Sequence, residues 1–311
     1  MTNEGALVLK QDRIEWPTIA LAILIYGCWL AVTWCHALLP LCLTPVLGGW
    51  LIAWHNSLQH ETIHRHPTGR RLIDGAIGAV PLSLWLPYST YFRTHRAHHA
   101  SRAITDPFED PESRYLAHTQ GGWGHILRAA EFLQSTLLGR LLLGPPITVG
   151  RFLVSELARG RKDPATLLRN WLPHLGASAL VVAWLHLCGL GIGAYLLLFV
   201  YPGISLSLLR SFAEHRPAEA PEHRVAIVET RGPLGLLFLH NNLHAAHHEL
   251  PGLAWYRLPA FYRQHRMRLL EANGGLLYRS YGELFRRFLF RPHDHLVHPD
   301  YGGHDTSPEI A

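Results

Sequence analysis

The chain has 311 residues, 48% hydrophobic and only 16% charged, with 28 Lys+Arg, 23 Asp+Glu and 23 His. Soluble domains carry about a quarter of their residues as charges, so this composition excludes disorder and argues against an ordinary cytosolic enzyme. The mean hydropathy of +0.06 averages two unlike kinds of segment, and the histidines are scattered from His36 to His304, which excludes a terminal tag.

In chain order, the first uncharged stretch runs from Trp16 to Gln59, 44 residues without Asp, Glu, Lys or Arg. A helix needs about 20 apolar residues to cross a membrane, so two spans are expected, near 17–36 and 40–58, with a turn at Leu38-Leu39 beside Pro40 and Pro45. Directly after comes His60-Glu61-Thr62-Ile63-His64. The run from Leu72 to Tyr88 is interrupted by Asp74, Pro81 and Pro87, and is not expected to span. His95-Arg96-Ala97-His98-His99 follows, then the acidic loop from Thr105 to Glu112, read as a solvated turn, with Asp106 near enough to orient an imidazole. Leu137 to Val149 contains Arg140 and two prolines and is expected to be interfacial or re-entrant. A second uncharged stretch, Asn170 to Leu209, is 40 residues long. It gives spans near 170–188 and 191–209, turning at Gly189, Gly191 and Gly193. His215 lies just beyond it, and His244-Ala245-Ala246-His247-His248 follows His240-Asn241-Asn242.

Both hairpin tips are uncharged, so every Lys and Arg falls in 1–15, 60–169 or 210–311, the side that the positive-inside rule makes cytoplasmic. The expectation is an all-α integral membrane protein, one domain over 1–311. Two transmembrane hairpins (four spans) would carry a cytoplasmic helical cap from 60–169 and 210–311 that bears the histidine boxes, with the termini on the same side. No cleavable signal peptide is expected. Net charge of +5 and pI of 9.2 raise nucleic-acid binding, but there is no basic helix with interleaved aromatics, and arginines flanking spans account for the balance. Cys28, Cys35, Cys42 and Cys188 lie in apolar stretches and form no CxxC.

On a helix, residues three and four apart share a face, so H-x-x-x-H and H-x-x-H-H each align imidazoles on one stripe. The boxes give His60, His64, His95, His98, His99, His244, His247 and His248, and His215 makes nine. A structural zinc takes four ligands, so nine imply more than one metal; an all-nitrogen set suits Fe, Zn, Cu or Ni. Three residues have roles left open near the metal. Glu61 orients an imidazole or pairs with Arg65, His240 is a ligand or a neighbour of one, and Asn241 bonds a metal-bound water or caps a helix. His55 is read as a neighbour of the first box, and His66 as part of a turn. His36, His174 and His186 are assigned to packing within the apolar stretches. His118, His125, His223, His265, His293, His295, His298 and His304 are expected to be solvated. Residues 60–64 also read as H-E-x-x-H, a membrane zinc metalloprotease signature, but that mechanism leaves most clustered histidines without a task. A transporter would place polar groups at the bilayer midplane rather than at the membrane face.

The box order and flanks, Gln59 to Thr68, His247-His248-Glu249-Leu250-Pro251 and Trp255-Tyr256-Arg257-Leu258-Pro259, resemble the membrane fatty-acid desaturase/hydroxylase superfamily, with flanks similar to bacterial fatty-acid desaturases. The resemblance covers roughly residues 16–260. It implies a non-haem di-iron pair held by the eight box histidines, with His215 similar to an extra histidine of alkane hydroxylases, and O₂ as co-substrate. It implies oxidation of an unactivated C–H bond of a lipid or acyl chain, foremost fatty-acid desaturation. Hydroxylation or ketolation of an alkane, acyl or carotenoid substrate is the alternative, and the bacterial inner membrane is the implied location. No cytochrome b5 signature, iron–sulfur pattern or dinucleotide fingerprint is present, so a separate ferredoxin-, rubredoxin- or cytochrome-type donor with its reductase is expected. Arg93, Arg96, Arg102, Arg263, Arg266 and Arg268 would dock that donor or meet lipid phosphates.

Overall fold

The computed structural model describes residues 14–117, 129 and 132–301; His118, His125 and His304 lie outside them. Prolines mark the starts of three long helices: Pro17 in α1 (Trp16–Trp34), Pro45 in α2 (Thr44–Ile63) and Pro164 in α6 (Pro164–Leu187). The first turn of a helix has N–H groups with no internal partner, so a proline there loses no hydrogen bond. After α2 come the short α3 (Arg71–Gly78) and α4 (Tyr88–Ala100), which carries the second box. Then follow α5 (Leu137–Lys162), α6 (Pro164–Leu187) and α7 (Ile192–Glu214), which contains a π turn at Leu196–Val200. The rest is β1 (Ile227–Val228), α8 (Pro233–Leu237), α9 (His244–Glu249), α10 (Leu258–Ala272), β2 (Leu277–Tyr278) and α11 (Tyr281–Phe288). β1 and β2 pair in parallel, Ile227 beside Leu277 and Val228 beside Tyr278.

Three of the described helices, α1, α5 and α7, are long and apolar enough to cross a membrane. The expected spans 17–36 and 191–209 correspond to α1 and α7. The other two expected spans fall on α2 and α6, helices of 20 and 24 residues that carry more polar side chains. The helix expected at 40–58 begins at Thr44 and continues to Ile63, so the first box begins within it.

The segment expected to be interfacial or re-entrant rather than spanning, Leu137 to Val149, is instead part of the 26-residue α5, which continues through Pro145 and Pro146 and is long and apolar enough to cross a membrane. A proline inside a helix strips the carbonyl four residues earlier of its partner, which in an apolar setting costs several kcal/mol unless replaced. Here the freed carbonyls are those of Leu141 and Leu142. The Ser205 hydroxyl donates to the first at 2.8 Å and the Tyr201 hydroxyl to the second, both from α7. The prolines therefore become inter-helix attachment points.

α2 and α7 cross at glycines. A Cβ on Gly203 would lie 2.4 Å from the Ile52 Cβ, one on Gly49 2.8 Å from Pro202, and one on Gly48 2.6 Å from the Phe199 ring. Small residues at such a crossing let apolar helices approach closely where no hydrophobic drive between them exists in lipid. One chain of hydrogen bonds links polar atoms between helices: Trp29 Nε1 donates to the Tyr195 hydroxyl at 2.9 Å, which donates to the Leu82 carbonyl at 2.7 Å. His174, assigned to packing, meets the Leu84 carbonyl through Nε2 at 3.0 Å. His36 lies in the turn after α1, 2.9 Å from the Thr33 carbonyl.

His293 and His298, expected to be solvated, are buried. Both belong to a C-terminal strap, residues 289–301, laid along the loop after α4. His293 meets the Tyr278 hydroxyl at 2.6 Å, and His298 meets Thr105 Oγ1 at 3.1 Å. Arg114 donates to both oxygens of Asp294 at 2.7 and 2.8 Å, and Leu116 bridges Val297. A buried imidazole needs a partner for each nitrogen, and a strap lacking box spacing gives no sign in sequence that it folds back.

Candidate metal centre

Four pieces of chain converge below the strap. The C-terminal end of α2 brings His60 and His64; α4 brings His95, His98 and His99; the residue after α7 is His215; and α9 brings His244, His247 and His248. The segment between α7 and β1 ties these together. Ala226 N–H donates to the Glu214 carbonyl at 2.9 Å, Ala245 N–H to the Ala226 carbonyl at 3.1 Å, and Val228 N–H to the Asn242 carbonyl at 2.8 Å.

The nine histidines fall into two groups. His60, His64, His95, His99 and His247 form one; His98, His215, His244 and His248 form the other, with the ligand-capable nitrogens of each within 4.8 Å of one another. Each H-x-x-H-H box is divided between them. The first histidine and its +4 neighbour go to one group and the +3 histidine to the other, with opposite assignment in the two boxes. The groups touch where the His99 and His248 rings stack at 4.3 Å.

Hydrogen bonds fix which nitrogen points inward. His95 Nδ1 donates to Glu112 at 3.1 Å, His98 Nδ1 to Asp110 at 2.8 Å, His244 Nδ1 to Asn241 Oδ1 at 3.0 Å, and His215 Nδ1 to the Arg224 carbonyl at 3.3 Å. Asp110 in turn accepts from Thr105 N–H and Glu112 N–H, both at 2.9 Å. These acceptors carry no proton, so the Nδ1 atoms must donate and each neutral ring turns a bare Nε2 lone pair inward.

The second group then presents a conflict. His215 Nε2 and His244 Nε2 are 3.0 Å apart, and His248 Nε2 is 3.2 Å from His244 Nε2. Two lone pairs at that distance repel unless a cation lies between them. A proton is disfavoured: burial first, then the His98 imidazole, pulls His215 down to about 3, and burial holds His244 and His248 far below the usual imidazole value. In the first group His64 and His99 Nε2 lie 2.9 and 3.1 Å from the bare His95 Nε2. Burial likewise lowers His99 to about 3. Desolvation keeps His99, His215, His244 and His248 neutral, the form that binds a metal, whereas at His98 burial is outweighed by the Asp110 carboxylate, which raises it. The donor sets fit a pair of metal ions.

The residues whose roles were left open divide as follows. Asn241 lies between the groups, its amide nitrogen 3.3 Å from His60 Nε2 and its oxygen on His244. Glu61 accepts from the Trp255 N–H at 3.2 Å, with its other oxygen 3.8 Å from His60 Nδ1. It is therefore committed to holding α2 against the loop before α10, which weakens its reading as a protease base. His240 belongs to neither group and stacks on Trp255 at 6.1 Å. Asp106 bonds the Phe108 and Glu109 N–H groups and the Tyr301 hydroxyl, shaping the turn rather than a box imidazole. His55 lies one turn before the box, 3.2 Å from the Tyr26 hydroxyl. His66 meets Glu15 at 2.8 Å.

The acidic loop, expected to be a solvated turn, instead supplies Asp110 and Glu112. Burial alone would raise the Glu112 carboxyl, yet the adjacent His95 imidazole brings it down to about 2. Glu214 was also missed: it ion-pairs with Arg210 at 2.8 Å and lies 3.5 Å from His244 Nδ1. The available signal was the position of Glu214 directly before His215 and of two carboxylates in the loop after the second box.

A cavity of about 230 Å³ opens beside the centre between α2, α5 and α7. His95, His215 and His244 are among its lining residues, as are Arg114 and Arg140.

A family model described as fatty acid desaturase matches residues 34–282, a range that includes all nine histidines. No curated protein matches the chain.

Proposed function

The chain belongs to the fatty acid desaturase family, and from that membership we propose that it desaturates a lipid or acyl chain at a pair of irons held by the nine histidines, with O₂ as co-substrate. Membership and three apolar helices indicate a membrane protein and point to desaturase- or hydroxylase-type oxidation. The facing Nε2 lone pairs of His215 and His244 carry the metal reading, because burial denies them the proton that would otherwise relieve them.

His60, His64, His95, His99 and His247 would hold one iron; His98, His215, His244 and His248 would hold the other. Iron with O₂ supplies an oxidant strong enough for an unactivated C–H bond, which zinc does not. The chain itself supplies orientation and exclusion. Asp110, Glu112 and the Arg224 carbonyl lock the imidazole tautomers. Asn241, bonded to a histidine of each group, sets their mutual position. Burial keeps His99, His215, His244 and His248 neutral as ligands. The cavity beside His95, His215 and His244 holds the target carbon near the centre and away from water, so placement selects the hydrogen removed.

The remaining parts of the reading are one domain, four spans formed by α1, α2, α6 and α7, and a centre facing the cytoplasm of a bacterial inner membrane. Electrons come from a separate donor protein with its reductase, docked on the arginine-bearing face. Lipid analysis of cells expressing the wild type and His98→Ala tests the reaction. A new double bond only in the wild-type sample is expected. Hydroxylated product instead would replace desaturation by the hydroxylase alternative, and unchanged lipids with altered pigment would move the substrate to carotenoids.

A further inference from the structure

The cavity beside the histidines is unusual for one meant to hold a hydrocarbon. An apolar chain calls for aliphatic walls, with a few polar groups where the ligand has polar atoms to match. Here two guanidinium groups are buried in the wall, Arg140 at 8% exposure and Arg114 at 9%. Arg114 has a counter-charge in Asp294. Among the described residues Arg140 has only a neutral hydrogen-bond partner, Gln134 Oε1 at 3.2 Å. Its Nε, and the Nε and Nη1 of Arg114, have no hydrogen-bond partner among the described residues.

Among the described residues, the charges that bear most on Arg140 are the cations Arg114 and Arg151 and the Asp294 carboxylate that Arg114 already holds. Burying a cation without a partner costs several kcal/mol even after relaxation, and like charge beside it adds to that cost. Arg210, the other cation of the wall, is compensated by Glu214 at 2.8 Å. Among the described residues the uncompensated charge is thus that of Arg140, with Arg114 beside it short of hydrogen bonds at Nε and Nη1. An anion entering the cavity would offset that charge, and guanidinium N–H groups match the paired oxygens of a carboxylate or phosphate.

We propose that the Arg140–Arg114 side of the cavity binds the anionic head, a carboxylate or phosphate, of the molecule oxidised at the histidine centre. The proposal rests on that centre being the oxidation site. It narrows the substrate to a chain with an acidic head and sets aside alkanes and uncharged carotenoids. The head would be anchored inside the protein, in the same cavity that reaches His95, His215 and His244, and not at the surface arginines.

Isothermal titration calorimetry of the purified metal-loaded protein in neutral detergent tests this, with dodecanoate, dodecyl phosphate and dodecanol as probes and metal content measured on every sample. At least one anion should bind about tenfold or more tightly than dodecanol, and whichever binds better identifies the head. Arg140→Gln should abolish the preference while keeping its metal, and Arg140→Lys should retain part of it. Equal binding of dodecanol and both anions to the wild type would overturn the proposal, as would an undiminished preference in Arg140→Gln. If Arg140→Gln fails to fold, the wild-type comparison and competition by inorganic phosphate decide: competition supports the site, and its absence together with equal probe binding overturns it. Iron without anion preference defeats this proposal alone; anion preference without iron defeats the oxidation reading alone.

Discussion

Asp110 and Glu112 bond histidines 12 and 17 residues earlier in the chain. Neither separation is a helical repeat, so spacing could not identify them, and an acidic stretch in a loop reads by default as solvated. Partners of this kind typically change metal affinity by about 10–100-fold when removed. Asp110→Asn and Glu112→Gln should therefore lose iron faster than the wild type during dialysis against a chelator, with the fold otherwise retained. Equal retention would assign both carboxylates to the loop alone. His215 and His240 offer a sharper contrast, since sequence left both as possible ligands. His215→Ala should lower the iron content from about two per chain to about one, as it strips a group of four, while His240→Ala should leave it unchanged. A loss in His240→Ala equal to that in His215→Ala would contradict the division into groups. The box histidines were legible because helix geometry fixes i, i+3 and i+4. Their division between two sites was not, because it depends on the other helices that meet them.

α2 brings His60 and His64 and α7 leads into His215, so their close crossing bears on the distance between the two groups. Gly203→Ala places a methyl against the Ile52 Cβ, a branch point that cannot swing aside. The overpacking should cost about 1–3 kcal/mol, read as a lower Tm in detergent and weaker iron retention; an unchanged Tm would show that the helices separate without strain. The strap acts on the other side of the site, holding the loop that carries Asp110 and Glu112. Burial would raise the Asp294 carboxyl, but Arg114 and then His293 hold it below its ordinary value of 3.8. A depressed acid stabilises the fold above that value and loses its contribution as pH falls below it. The metal-free protein should lose Tm on acidification below about pH 4, and Asp294→Asn should show a smaller loss over that window. An identical acid profile in the variant would remove the strap from the account. The sequence held Asp294, His293 and His298 without any periodicity to say that they pack against residues 105–116.

Across the whole chain, the two uncharged stretches foretold α1 and α7 closely, because absence of charge over 40 residues or more leaves few alternatives. α5 was missed for a physical reason: Arg140, Pro145 and Pro146 each argue against an apolar helix locally, and what offsets the prolines, the hydroxyls of Tyr201 and Ser205, lies some 60 residues further on. The same helix brings Arg140 to the cavity wall, so the missed element is also the one that bears on substrate choice. The central claim is that converging, neutral, buried imidazoles hold two irons. Metal analysis of the wild type as purified from iron-supplied cells, read beside His215→Ala, tests it most directly. The account predicts about two irons per wild-type chain and about one in the variant; a single zinc with no iron, or equal metal content in both proteins, would contradict it.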